Sequence, residues 1–141
     1  QRLAKQQLSC QVADVTCFDY QPCDFILLNF TLQFLAPEER LPLLEKLYKA
    51  LRPGGALILS EKIHFANSYQ SNLLYKLHHD FKRTNGYSDL EISQKRTALE
   101  DVLRTNTPEE HLARLTQVGF SFANQWFQYL NFASFLAIKG A

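Results

Sequence analysis

The stretch Asp24 to Leu35, DFILLNFTLQFL, constrains the fold more than any other part of the chain. Phe25, Ile26, Leu27 and Leu28 run apolar without the alternation of a half-exposed strand. That predicts a strand covered on both faces, and so a parallel sheet flanked by helices. The run breaks at Asn29, a polar amide placed where such a strand ends. Ligands of open α/β sheets gather outside the carboxyl ends of strands, which makes Asn29 a candidate ligand contact. The alternative is an asparagine that caps the following turn.

A helix is expected over roughly Pro37 to Leu51, with Leu41, Leu44, Leu47, Tyr48 and Leu51 on one stripe. Glu38 and Glu39 fall in its first turn and Lys46 and Lys49 near its end, as the helix dipole favours. Pro42 removes a backbone donor, so the regular helix either starts near Leu41 or kinks there. Arg52-Pro53-Gly54-Gly55 ends it, and Ala56 to Ser60 is the next apolar strand, closing a right-handed parallel crossover. Glu61 and Lys62 follow on the ligand side of the sheet. Upstream, Gln1 to Gln7 reads as the tail of a helix, and Cys10 to Val15 as a short strand with Asp14 at its end. An acid there can accept a hydrogen bond from a ligand amine, the alternative being a solvated loop carboxylate.

Residues 68–104 break the alternation, reading as two helices with no strand between them. The first repeats Tyr69, Leu73, Leu77 and Phe81 every fourth residue and stops at Gly86. The second opens with Ser88 and Glu91 in capping-box spacing and carries SQKRT, a polar run with no core face. A solvated face is one reading of that run. His78, His79, Lys82, Arg83, Lys95 and Arg96 nonetheless concentrate the chain's basic character here. Thr107, Pro108 and Glu110 open another helix, with Leu112, Leu115 and Val118 on its buried stripe and Gly119 at its end. Two aromatic-rich strands follow, Phe120 to Phe132 and Ala133 to Lys139, so close in sequence that they should pair as an antiparallel hairpin.

The chain has 141 residues, enough for one domain with a real core. A net charge of +1 gives no global electrostatic case for a nucleic-acid or membrane partner, and no apolar run approaches the roughly 20 residues of a membrane span. Cys10, Cys17 and Cys23 are odd in number and never spaced C-x-x-C, which argues against a disulfide framework or a zinc site and for reduced thiols in a cytoplasm. The absence of an initiating methionine suggests a fragment or a trimmed chain.

From Ala13 to Lys139 the motifs ADV, LLNFTLQFL, LRPGGALILSEK, LHHDFKRTNGYSDLEISQKRTALE and WFQYLNFASFLAIK resemble the carboxyl-terminal part of the bacterial carboxy-S-adenosyl-L-methionine synthases. The resemblance implies a Rossmann-like class I methyltransferase sheet, α/β, with parallel strands, a helical insertion at about 66–105 and a terminal antiparallel hairpin. It implies an enzyme that converts S-adenosyl-L-methionine and prephenate into carboxy-S-adenosyl-L-methionine and phenylpyruvate, by way of the sulfonium ylide and carbon dioxide released from prephenate. The product serves 5-oxyacetyl uridine formation at the tRNA wobble position. By resemblance, Asp14 and Val15 line the adenine pocket, and Asn29 lies beside the cofactor. Arg96 of SQKR is then expected to bind the added carboxylate in the neighbouring subunit of a homodimer. No catalytic base, no metal and no direct contact with tRNA are expected. The rivals are an S-adenosyl-L-methionine-dependent tRNA methyltransferase, whose basic insertion meets RNA, and a non-catalytic dimerisation fragment. The fold also needs a glycine-rich cofactor loop, whereas the five glycines here, at 54, 55, 86, 119 and 140, form no G-x-G. The chain is therefore expected to hold part of a site, to bind the cofactor weakly by itself, to be inactive alone, and to expose an apolar face on its first strand.

Overall fold

The computed structural model describes residues 9–100 and 102–141. The helix tail expected at Gln1 to Gln7 lies outside the described residues. The elements are β1 (Cys23–Asn29), a 3-10 turn (Leu32–Phe34), α1 (Pro37–Ala50), β2 (Leu51–Lys62), α2 (Ser68–Thr84), α3 (Asp89–Glu100), α4 (Pro108–Val118), β3 (Phe122–Tyr129) and β4 (Phe132–Ile138). They form a four-stranded sheet in the order β1-β2-β4-β3, parallel between β1 and β2 and antiparallel elsewhere. The crossover, the two-helix insertion and the closing hairpin thus stand where the sequence predicts them.

Helix starts follow local chemistry. Ser88 and Glu91 exchange side-chain and backbone hydrogen bonds ahead of α3, and Thr107 and Glu110 do the same at α4. Gly119 closes α4 at φ 110°, a left-handed conformation that glycine adopts without a Cβ penalty. α1 runs unbroken from Pro37 through Pro42. The carbonyl deprived of a partner is that of exposed Glu38, where water can serve it.

Three expectations are corrected. Cys10 to Val15 forms no strand; a turn at 15–17 follows, closed by the amides of Cys17 and Phe18 on the Asp14 carbonyl. A strand exists only with a ladder partner, and none of the described residues pairs there. β2 begins at Leu51 rather than Ala56, because an irregular pairing lets Leu51 sit opposite Cys23. Gly55 makes this possible: a Cβ at that position would lie 2.8 Å from the Arg52 carbonyl oxygen and 3.0 Å from that of Asp24. Finally, β1 is not covered on both faces.

That last point follows from where the helices lie. Leu43, Leu44 and Leu47 of α1 and Leu115 of α4 pack with Leu28, Leu57, Leu59, Phe135 and Ala137 into one core on one face of the sheet. On the other face Phe25 and Leu27 remain 54% and 55% exposed, and at the opposite edge of the sheet Phe122 and Trp126 of β3 are exposed as well. The first described strand does expose an apolar face, as expected. The α2–α3 hairpin reaches this face only at its end, where His78 meets Phe132 edge-on at 5.0 Å. The Tyr69, Leu73, Leu77 and Phe81 stripe of α2 is itself exposed, with Phe81 against Tyr129 of β3.

Candidate functional site

The carboxyl ends of β1 and β2 are shaped by a buried carboxylate. Glu61, fully buried on the core side of β2, accepts the amides of Thr31 (3.0 Å) and Leu32 (2.9 Å) on Oε1 and of Gln33 (3.2 Å) on Oε2. Burial pushes its carboxyl above the ordinary value, and the three N–H donors work against that shift. Arg40, 2% exposed, secures the same corner by donating to the carbonyls of Leu35 and Arg104 and to Asn106 Oδ1. The turn so anchored holds Phe30 at φ 49°, an unusual conformation for a bulky residue, immediately after Asn29. Of the pair expected on the ligand side, only Lys62 faces it.

Asn29 sits at the carboxyl end of β1, opposite Ser60, on the face that α1 and α4 leave free. Its side chain caps no turn among the described residues; its carbonyl accepts the Thr31 hydroxyl at 3.0 Å. Across the sheet from it runs a row of polar groups. Ser60 Oγ lies 2.9 Å from Ser134 Oγ, which accepts Trp126 Nε1–H, also at 2.9 Å. The row was invisible in sequence, because it joins one residue from each of four strands.

Beyond that row a cavity opens between the strand ends and the α2–α3 hairpin. One lobe, about 230 Å³, is lined by Lys62, Tyr75, His78, Lys82, Lys95 and Arg96 among others. The adjoining lobe, about 270 Å³, shares Lys62, His78, Lys82 and Lys95 and extends to Phe30 and Phe132. Arg96 places its guanidinium over the Tyr75 ring at 5.9 Å. The SQKRT run is thus solvent-exposed yet forms one wall of a cavity in its own chain. Burial and the neighbouring Lys82 lower the Lys62 pKa, and burial and Lys95 lower that of Lys82. His78 falls from 6.5 to about 4, chiefly through burial and then through these lysines.

Asp14 and Val15 lie elsewhere. They flank an open groove that Val15, Tyr20 and Leu27 line, with the Tyr20 hydroxyl donating to the Val15 carbonyl at 2.9 Å. Asp14 Oδ1 accepts both the amide and the hydroxyl of Thr16 at 2.8 Å, which lowers its pKa. Oδ2 has no partner among the described residues. The groove adjoins β1 two residues before Asn29, whereas Arg96 belongs to the cavity, so the structure brings Asn29 near both regions and does not join the two.

No family model matches the chain. Among curated proteins it is 55% identical over 126 residues to the carboxy-S-adenosyl-L-methionine synthase of Pseudomonas putida, covering 89% of this chain and 51% of that protein. The protein of the same name from Photorhabdus laumondii is 54% identical over 129 residues, covering 92% and 51%. The chain is a relative of the carboxy-S-adenosyl-L-methionine synthases. It spans about half the length of the synthases it matches. Solved structures show the fold. Human N-acetylserotonin methyltransferase, in complex with SAM, superposes with a TM-score of 0.62 at 18% identity, over 93% of this chain and 33% of that one. PigF with SAH gives 0.58 at 22%, over 89% and 33%. The α/β class I methyltransferase architecture expected from sequence is therefore the one observed.

Proposed function

We propose that this chain is the carboxyl-terminal part of an enzyme that converts S-adenosyl-L-methionine and prephenate into carboxy-S-adenosyl-L-methionine and phenylpyruvate, for 5-oxyacetyl uridine formation at the tRNA wobble position. The observation that carries the reading is the roughly 55% identity to synthases over about 90% of the chain. The residues fit part of the cofactor. The Val15, Tyr20 and Leu27 groove offers an apolar wall to an adenine ring, and we assign its amine to the carboxylate of Asp14, the residue before Val15 in the chain. Asn29 offers an amide at the strand end. No described residue supplies a glycine-rich turn for the methionine end, so the chain by itself should hold the cofactor weakly.

The sulfonium of the cofactor supplies a methyl group acidic enough to be carboxylated. The chain's contribution is placement and electrostatics: a guanidinium at Arg96 offers forked, permanently charged donors to the carboxylate that the product gains. We place Arg96 in the site of a neighbouring subunit, in a cytoplasmic homodimer that does not itself contact tRNA. The exposed apolar stripe of α2 supports a partner on that helix.

The decisive experiment grafts this chain onto the remaining half of the Pseudomonas putida synthase and follows S-adenosyl-L-methionine by mass spectrometry with prephenate present. Carboxylated product supports the reading; a folded chimera that methylates tRNA and forms no carboxylated nucleoside refutes it. In that chimera Arg96→Ala should weaken binding of the carboxylated product by about 1.5 to 3 kcal/mol more than binding of S-adenosyl-L-methionine. Equal losses for both nucleosides, with a shallower salt dependence of tRNA binding, would favour the RNA-binding rival instead.

A further inference from the structure

Arg96 is exposed and makes no ion pair among the described residues. Its surroundings repel it: Lys62, Lys82 and Lys95 line the same lobe of the cavity, and no carboxylate among the described residues does. A long side chain among like charges has every reason to swing outward and sample many rotamers. One described group attracts it instead. The Arg96 guanidinium carbon stands 5.9 Å from the centre of the Tyr75 ring, within the reach of a cation–π contact. Tyr75 belongs to α2 and Arg96 to α3, so the contact ties the two helices of the insertion together at the point where Arg96 leaves the surface.

The ring of Tyr75, and not its hydroxyl, accounts for that residue. Tyr75 Oη, like His78 Nδ1, is buried without a hydrogen-bond partner among the described residues, and an unpaired buried hydroxyl costs stability rather than adding to it. His79, one turn further along α2, packs on the ring with centres 4.2 Å apart. Burial, then Lys82, Arg83, Lys62 and Arg96, lowers the His79 pKa below 6.5, so at pH 7 its imidazole is uncharged and brings no second cation to the ring. Arg83 shows the alternative way to hold a guanidinium. Asp80 and Asp89, each at 2.8 Å, occupy its Nη1 and Nε, and those donors are then spent. An aromatic face attracts the charge of a guanidinium without accepting its hydrogen bonds, which leaves the donor fork unoccupied. We propose that Tyr75 is the positioning residue of Arg96, its ring fixing the guanidinium while the N–H donors stay free for the carboxylate of a ligand. This deepens the synthase reading and rests on the role given there to Arg96.

The test is calorimetry on the chimera described above, with carboxy-S-adenosyl-L-methionine and S-adenosyl-L-methionine as separate titrants. Tyr75→Leu should reduce the preference for the carboxylated ligand by about two- to fivefold, the range for an exposed cation–π contact. Tyr75→Phe, which keeps the ring and deletes the unpaired hydroxyl, should retain the wild-type preference. A residue that only filled space would lower both affinities together or neither. In the Arg96→Ala background Tyr75→Leu should cost no further preference, since nothing is left to position. Circular dichroism checks each variant, and Tyr75→Met takes the place of Tyr75→Leu if the latter does not fold. An undiminished preference in Tyr75→Leu, an equal loss in Tyr75→Phe, or an additive loss in the double variant each overturns the proposal. The two readings fail separately: an Arg96→Ala chimera that keeps the preference removes the carboxylate role of Arg96 and the positioning role with it. Loss of preference in Arg96→Ala without loss in Tyr75→Leu removes the positioning role alone.

Discussion

Glu61→Ala should destabilise the fold by about 3 to 5 kcal/mol, read as a lower urea midpoint at unchanged slope. The carboxylate is fully buried and accepts the amides of Thr31, Leu32 and Gln33. Alanine leaves those donors unpaired and removes a negative charge that favours the buried Arg40 guanidinium. Glu61→Gln keeps one oxygen, turns an NH2 toward donors that cannot accept it, and should cost about 1 to 3 kcal/mol. The loss is local before it is global, because the turn Glu61 anchors carries Phe30 and adjoins Asn29. A variant within about 1 kcal/mol of the wild type would show that water replaces the carboxylate and that the turn does not depend on it.

Acidification from pH 7 to pH 5 should cost the fold about 2 kcal/mol through His111 alone. Its ring is 2% exposed, lies 5.1 Å from the Phe135 ring, and has no hydrogen-bond partner at either nitrogen among the described residues. Burial, then the nearby guanidinium of Arg114, lowers its pKa from 6.5 to about 4. A depressed folded value means that the unfolded chain binds the proton more readily. Stability is therefore complete above about pH 6.5 and declines as the pH falls toward 4. His78 shifts in the same direction and adds to the slope. His111→Leu, uncharged at every pH, should flatten the dependence of the urea midpoint on pH between 7 and 5. An unchanged slope in that variant would assign the acid sensitivity to other groups.

Much of the fold was legible because local chemistry and burial agree. The apolar run at 25–28 and the two capping boxes each specify an element without tertiary help, whereas Pro53, Gly54 and Gly55, expected to separate helix from strand, lie inside β2. The strand at Cys10 to Val15 failed because a strand depends on its neighbour. The coverage of β1 failed for a related reason: Phe25 and Leu27 do read as residues to be buried, but no described element packs over them. Charged residues misled by type. Arg40 and Glu61 look like surface residues in sequence, and only the convergence of β2, α1 and the turn at 31–33 shows them as a buried anchor. The basic cluster of the insertion was visible as composition. The unsatisfied atoms of Tyr75 and His78 required coordinates, since a hydrogen bond that is missing leaves no trace in a sequence.

The bare face of β1 has a consequence for the chain's behaviour in solution. Among the described residues β1 is an outer strand, so the amides and carbonyls along one side of it meet no partner, and the apolar rings and branches of Phe25 and Leu27 flank them. Such a border is a template on which a second chain can crystallise its own strand. A net charge of only +1 and an isoelectric point near 7.9 supply little long-range repulsion to prevent it. Light scattering by this chain should therefore rise with concentration at neutral pH, and Leu27→Lys, which sets a charge on that border, should suppress the rise. Folding and colloidal stability are distinct here: the core on one side of the sheet holds the molecule together, and the other side determines whether it stays alone.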